Sequence, residues 1–371
     1  MNILVSESTK QARIKYRKLA APKLMSEELY IRNWIYDVKV RDRAEVEFKN
    51  INPSSYQASV DFFITYHPEL RTKLQNEIWG SQPEKRGGVW EKFRLPYKRI
   101  EESFSNLIAQ RKELVFAKGY EVFVDYYLDL YKIPKSVYKD FIRNNNKVIE
   151  FCNSHTTHNN LEKDFFSEFG NHCSLCNLKN FPFGNLGDVT HYMSSNNVVI
   201  SMYKSKVDIE FGDFSQSNYI KETDRFKVQI DKNQNLKHQS IDLIHELSHI
   251  IHRIGCYKNE ILPEEKGSYF NELQTTKIEL DILKVISTEV YNSIFGEFLK
   301  VFHRVLFEIE IYRKPNLDFD SVYASIFNKC FRGSNELRNR SYILDNLIIS
   351  KPFSNLPHAV ALSTIIQNFI K

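Results

Sequence analysis

HELSHIIH, residues 245–252, decides how this chain is read. At 100° per residue on a helix, Asp242, His245, Glu246, His249, His252 and Arg253 fall in a stripe of about a third of the circumference. Leu243, Ile244, Leu247, Ile250, Ile251 and Ile254 cover the remainder. Such a stripe is the wet face of an ordinary amphipathic helix or one wall of a metal site. His-Glu-x-x-His points to the second reading, because residues four apart aim the same way and two imidazoles can meet one Zn²⁺. The Glu beside the first His then turns toward the metal's open position, where it can take a proton from water.

Two imidazoles need a third ligand, and SYFNELQTTKIELDIL, residues 268–283, offers one. Glu272, Thr275, Thr276 and Glu279 share a face of a second helix, with Leu273, Leu280 and Leu283 elsewhere on it. Gly255 reads as the stop of the first helix and Pro263 as the break between the two. The expectation is one catalytic zinc on His245, His249 and Glu272, Glu246 as general base, and Glu279 and Thr276 orienting the ligands.

Outward from this pair, residues 1–150 are expected to form a helical N-terminal region, 151–185 an irregular insert and 186–371 the catalytic region. Within 197–231, NNVVISMY, KVDIEF and DRFKVQID read as short strands. Val207, Ile209 and Phe211, then Phe226, Val228 and Ile230, lie at two-residue spacing on one side. The strand around Phe226 to Ile230 is expected to be an edge that binds an extended peptide. The fold class that follows is mainly α with a small β-sheet next to the active-site helix. In the insert, His155, His158, Cys173 and Cys176 have the pair spacings of a structural zinc site; a polar loop holding reduced thiols explains the same letters. Cys256 and Cys330 read as structural thiols, and His252 as a residue behind the ligands or facing solvent.

Of 371 residues, 42% are hydrophobic and 26% charged, enough for one large domain or two ordinary ones. A net charge of +5 with acids and bases interleaved does not suggest nucleic acid as a partner. No apolar run reaches the roughly 18 residues of a membrane span, and the first residues lack the pattern of a secretory signal. Five unevenly placed cysteines suit a reducing compartment, so a cytoplasmic location is expected. Oligomeric state leaves no mark on the sequence.

The two helix motifs resemble those of the thimet oligopeptidase and oligoendopeptidase F family of zinc peptidases. That pattern is His-Glu-x-x-His-x-x-His, a loop, then Glu and a second Glu seven residues on, matched here by Glu272 and Glu279. LIAQRKELVFAKGYEVFVDYYLDL resembles the family's upstream helix signature through Arg111, Gly119, Tyr120, Tyr126, Tyr127 and Leu128. The resemblance implies a zincin-type catalytic domain under a helical layer, cutting short or unstructured peptides. The family's C-terminal oxyanion-binding tyrosines have no counterpart in SNLPHAVALSTIIQNF, leaving His358 and Tyr342 as candidate donors. Two other readings stand beside it. A strand, a turn and HELSHIIH also resemble the ImmA/IrrE type of regulatory metallopeptidase, which has a specific protein substrate, and a helical peptide-binding protein could keep the motif without activity.

Overall fold

The computed structural model describes residues 98–155 and 178–370, apart from 221, 233, 315–317, 332–341, 343–347 and 349–351, together with Ser26, Leu29, Arg32 and Leu175. In chain order these form α1 (Lys98–Ala117), α2 (Phe123–Leu130), α3 (Lys135–His155), α4 (Leu186–Asn196), α5 (Val198–Tyr203), β1 (Val207–Gly212), β2 (Gln216–Ile220) and β3 (Arg225–Asp231). Then follow α6 (Leu236–Lys258), α7 (Pro263–Lys266), α8 (Ser268–Ile286), α9 (Thr288–Arg313), α10 (Phe319–Phe331) and α11 (Leu356–Ile370). The expected fold class holds: helices dominate, and the sheet leads directly into the helix that carries His245. The chain divides into two compact units that are not consecutive stretches. One is Met1–Asn50 with Lys179–Thr288, the other Ile51–Leu178 with Glu289–Lys371.

In the first unit the sheet order is β1-β3-β2, with β3 parallel to β1 and antiparallel to β2. The strand Phe226–Ile230 is therefore the central strand, with its backbone engaged on both sides, and cannot be the peptide edge expected of it. Phe226, Val228 and Ile230 are fully buried, and α6 packs on β3 and β2. On β1, at one border of the sheet, Ile209 and Phe211 are exposed despite their register opposite Val228 and Ile230. Lys206 and Asp224, just before β1 and β3, form a buried ion pair, and the Tyr219 hydroxyl donates to Asp224 at 2.6 Å, which pins the β2–β3 turn.

NNVVISMY, expected as a strand, is the end of α4 and all of α5. The Asn197 side chain accepts hydrogen bonds from the backbone N–H groups of Val199 and Ile200 at 3.0 and 3.1 Å. That cap starts a helix where the Val-Val-Ile run alone favours a strand. Asn235 caps α6 in the same way, through Lys237 N and His238 N. Gly255 does not end α6, which continues to Lys258. The stop is Glu260 at φ +54°, with its N–H on Tyr257 O at 3.2 Å and the Ile261 N–H on Cys256 O at 2.9 Å, the closure of a Schellman motif.

In the second unit α3 packs against α11 and α10, and α9 contributes the buried Phe295, Phe298, Phe302 and Phe307. Arg111 is buried there and donates to the Tyr312 hydroxyl at 3.0 Å and to Ile348 O at 3.3 Å. Gly119 adopts φ +88° just past α1, a conformation that glycine reaches without strain. Among the described residues no helix is long and apolar enough to cross a membrane.

A methyl group at Gly255 meets open space and the residue's φ is not positive. Gly255→Ala in the interior of α6 is therefore expected to stabilise the protein by about 0.5–1 kcal/mol, read as a higher urea midpoint with an unchanged slope.

Candidate metal centre

The polar stripe of α6 does not face bulk water. It faces α8, which packs along it. Glu246 and His252 are buried, and the side chains of His245 and His249 keep 19% and 13% of their surface. The two Nε2 atoms lie 3.2 Å apart, with the rings perpendicular at 89°. From α8 the Glu272 carboxylate faces both, Oε2 at 3.9 Å from His245 Nε2 and Oε1 at 3.7 Å from His249 Nε2. All three donors lie within 4.8 Å of one another.

Two nitrogens held about 2.05 Å from a tetrahedral zinc are roughly 3.3 Å apart. The imidazole pair already has that spacing, and Glu272 faces both nitrogens with an oxygen apiece and the donor set within 4.8 Å. Two nitrogens and one carboxylate oxygen are a donor set that zinc takes with a position left open. The residues fit the metal.

The other ring nitrogens are also engaged. His245 Nδ1 is 2.9 Å from Glu279 Oε2, and His249 Nδ1 is 2.9 Å from the Thr275 hydroxyl. A carboxylate on Nδ1 holds the proton there and leaves Nε2 as the lone-pair donor. Thr275 takes the orienting place that the sequence reading assigned to Thr276; the Thr276 hydroxyl is fully buried and makes no hydrogen bond among the described residues. Residues 275 and 276 differ by 100° around α8, and only the packing angle selects between them. The sequence reading also missed Ser217, because polar QSNYI was not recognised as a strand. Its hydroxyl lies close enough to Glu246 to moderate the rise in that carboxyl's pKa, and its carbonyl accepts from Arg253 at 3.2 Å.

The electrostatics call for a cation. Burial opposes charge on the His245 ring, yet Glu279, Glu246 and Glu272 together raise its pKa to about 10. Burial lifts Glu272 to about 7, against the pull of His245. Burial also raises Glu246, moderated by His245 and Ser217. On the same stripe, burial brings Asp242 to about 6, with the Ser215 hydroxyl donating to it. A proton on His245 answers this excess of buried carboxylate; a divalent ion at the Nε2 pair answers it better.

His252 lies against the ring of Phe270, with Nε2 3.3 Å from Asn271 Oδ1, and so does not face solvent. Tyr342 and His358 belong to the second unit. Tyr342 is fully buried with its ring against Phe104, Phe307, Phe319 and Tyr323, and half-buried His358, at the start of α11, points an edge toward Phe298. His155 closes α3, its Nδ1 2.9 Å from Phe151 O. His158, Cys173 and Cys176 lie outside the described residues. Cys152, Cys256 and Cys330 are buried and form no disulfide among the described residues.

No protein-family model matches the sequence, and no curated protein matches it either. Among solved structures the chain is similar to Trypanosoma cruzi metallocarboxypeptidase 1, with a TM-score of 0.51 and 12% identity over 98% of this chain and 74% of that one. It is similar also to an oligoendopeptidase F, with a TM-score of 0.51 and 12% identity over 96% and 84% of the two chains. The likeness is one of fold, and the fold is metallopeptidase-like.

Zinc titration of the purified protein should show one tight equivalent lost in Glu272→Ala. Glu279→Gln should keep the equivalent but weaken it by about 10- to 100-fold, as removal of a carboxylate behind a ligating imidazole does. The sign of the pH dependence follows from the groups themselves. Without metal, Glu272 holds a proton below about 7 and His245 below about 10, so metal and protons compete. Apparent zinc affinity should fall by about tenfold per pH unit for each displaced proton as pH drops from 8 to 6.

Proposed function

We propose that this protein is a zinc-dependent metallopeptidase that hydrolyses internal bonds of short or unstructured peptides. The observation that carries this reading is the His245–His249–Glu272 triangle, backed by Glu279 and Thr275, with the buried Glu246 carboxylate beside it. The metallopeptidase-like fold is consistent with it.

In this reading His245, His249 and Glu272 hold the ion. Bound there, zinc supplies Lewis-acid polarisation of a carbonyl and acidifies water. Glu246 is the general base. Its carboxylate is desolvated, which raises its proton affinity, and the nearby Ser217 hydroxyl moderates the rise. It takes the proton of the attacking water and delivers it to the departing amine. Glu279 and Thr275 keep the two rings fixed through this exchange. Because β3 is central, the strand for an extended substrate is β2. That strand pairs on one side with β3, and its Ser217 touches Glu246. Among the described residues no strand pairs on the other side of β2, and backbone pairing there selects unfolded chain over folded protein.

Glu246→Gln keeps the shape and removes the base. It should bind zinc as the wild type does and lower kcat on quenched fluorescent peptides by about 10²- to 10⁴-fold with KM little changed. Equal turnover by the two proteins defeats the assignment of the base. A zinc-loaded wild type that cleaves no random short peptide points to a specific protein substrate, and a protein that takes up no metal is a binding protein.

A further inference from the structure

The second unit holds a cavity of about 490 Å³ that the metal chemistry does not use. Its wall is aliphatic and aromatic: Leu128 and Ile142 stand beside Phe123, Tyr312 and Phe353. Phe123 stacks on Tyr312 at 3.8 Å and 3°, and Phe353 tilts against both. Protein interiors close-pack, so voids much larger than a water molecule are few. This one falls within the roughly 300–1,000 Å³ of small-ligand sites.

Its rim is cationic. Lys135, Lys139, Arg143 and Arg313 line it, with Asp125 as the one acid among the lining residues. Lys135 answers Asp125 at 2.8 Å. Arg143 and Arg313 meet Asp140 and Glu310 at 3.4 and 3.3 Å, carboxylates that do not line the cavity. Both pairs are solvent-exposed and weak enough to re-pair with a ligand. Lys139 makes no ion pair among the described residues. Lys135, Lys139 and Arg143 follow one another at four-residue steps on α3, whose first turn holds no acidic residue. Like charges at this spacing repel, and cations near a helix start oppose the helix dipole. The Asp140–Arg143 pair within α3 offsets only part of this, and an anion at the mouth relieves the rest.

We infer that the cavity binds a long-chain fatty acid, its carboxylate at the Lys139–Arg143–Arg313 rim and its hydrocarbon chain along the aromatic wall. A neutral apolar molecule leaves the rim unanswered. A polar anion such as a nucleotide sets unpaired polar groups against carbon. An amphiphile with one anionic head satisfies both surfaces.

The test uses the full chain and dansylaminoundecanoate as the fluorescent probe. A saturable blue shift is expected, reversed by palmitate, not by acetate, and by hexadecanol only at about tenfold higher concentration. The exposed pair Lys139→Glu with Arg143→Glu, checked for native circular dichroism, should weaken the probe by about tenfold, and Ile142→Trp should fill the cavity and abolish binding. The inference is overturned if the probe does not bind the wild type, if hexadecanol competes as well as palmitate, or if the charge-reversed protein binds as tightly. Zinc content and peptide turnover are measured separately, so failure here leaves the metal centre standing.

Discussion

The register between α6 and α8 is the constraint on which the centre depends. His245 and His249 point one way because they are a helical turn apart, and Glu272, Thr275 and Glu279 meet them because they too recur at three and four residues. Sliding α8 by one residue turns its face by 100° and carries Glu272 away from the Nε2 pair. The register is held from behind by apolar burial: Leu243, Ile244 and Leu247 on α6, and Leu280 and Leu283 on α8, are all within 3% of complete burial. It is held within the site by the Glu279–His245 contact at 2.9 Å.

That arrangement is costly in the metal-free protein. Glu246, Glu272 and Glu279 crowd two imidazoles in a space largely closed to water, where an unanswered charge is unfavourable. The surrounding carboxylates raise the pKa of His245, and burial raises that of Glu272. A cation that bound the folded form alone would add its binding free energy to folding stability. Burial raises the Glu246 carboxyl above its ordinary value.

The sheet contributes by its order. With β3 in the middle, its side chains seat α6 while β2 brings Ser217 to Glu246 and a backbone carbonyl to Arg253. Similarity of fold to two peptidases at 12% identity is compatible with such a design. The functional atoms occupy a few turns of two helices, and the rest need only be apolar and correctly sized to hold them.

Much of this was legible in the one-dimensional pattern. His-Glu-x-x-His, a loop and a downstream Glu with a second Glu seven residues later named the side chains that the structure brings together, because helical periodicity converts spacing into direction without knowledge of the fold. Alternation marked β1 and β3 for the same reason. Packing alone decided the rest: Thr275 over Thr276, which depends on a crossing angle; β3 as a central strand, which depends on a partner too polar to be read as a strand; and α5 as a helix, where one Asn side chain outweighed three β-branched neighbours. Local period determines where a side chain points along its own element, and only the neighbouring element determines what it points at.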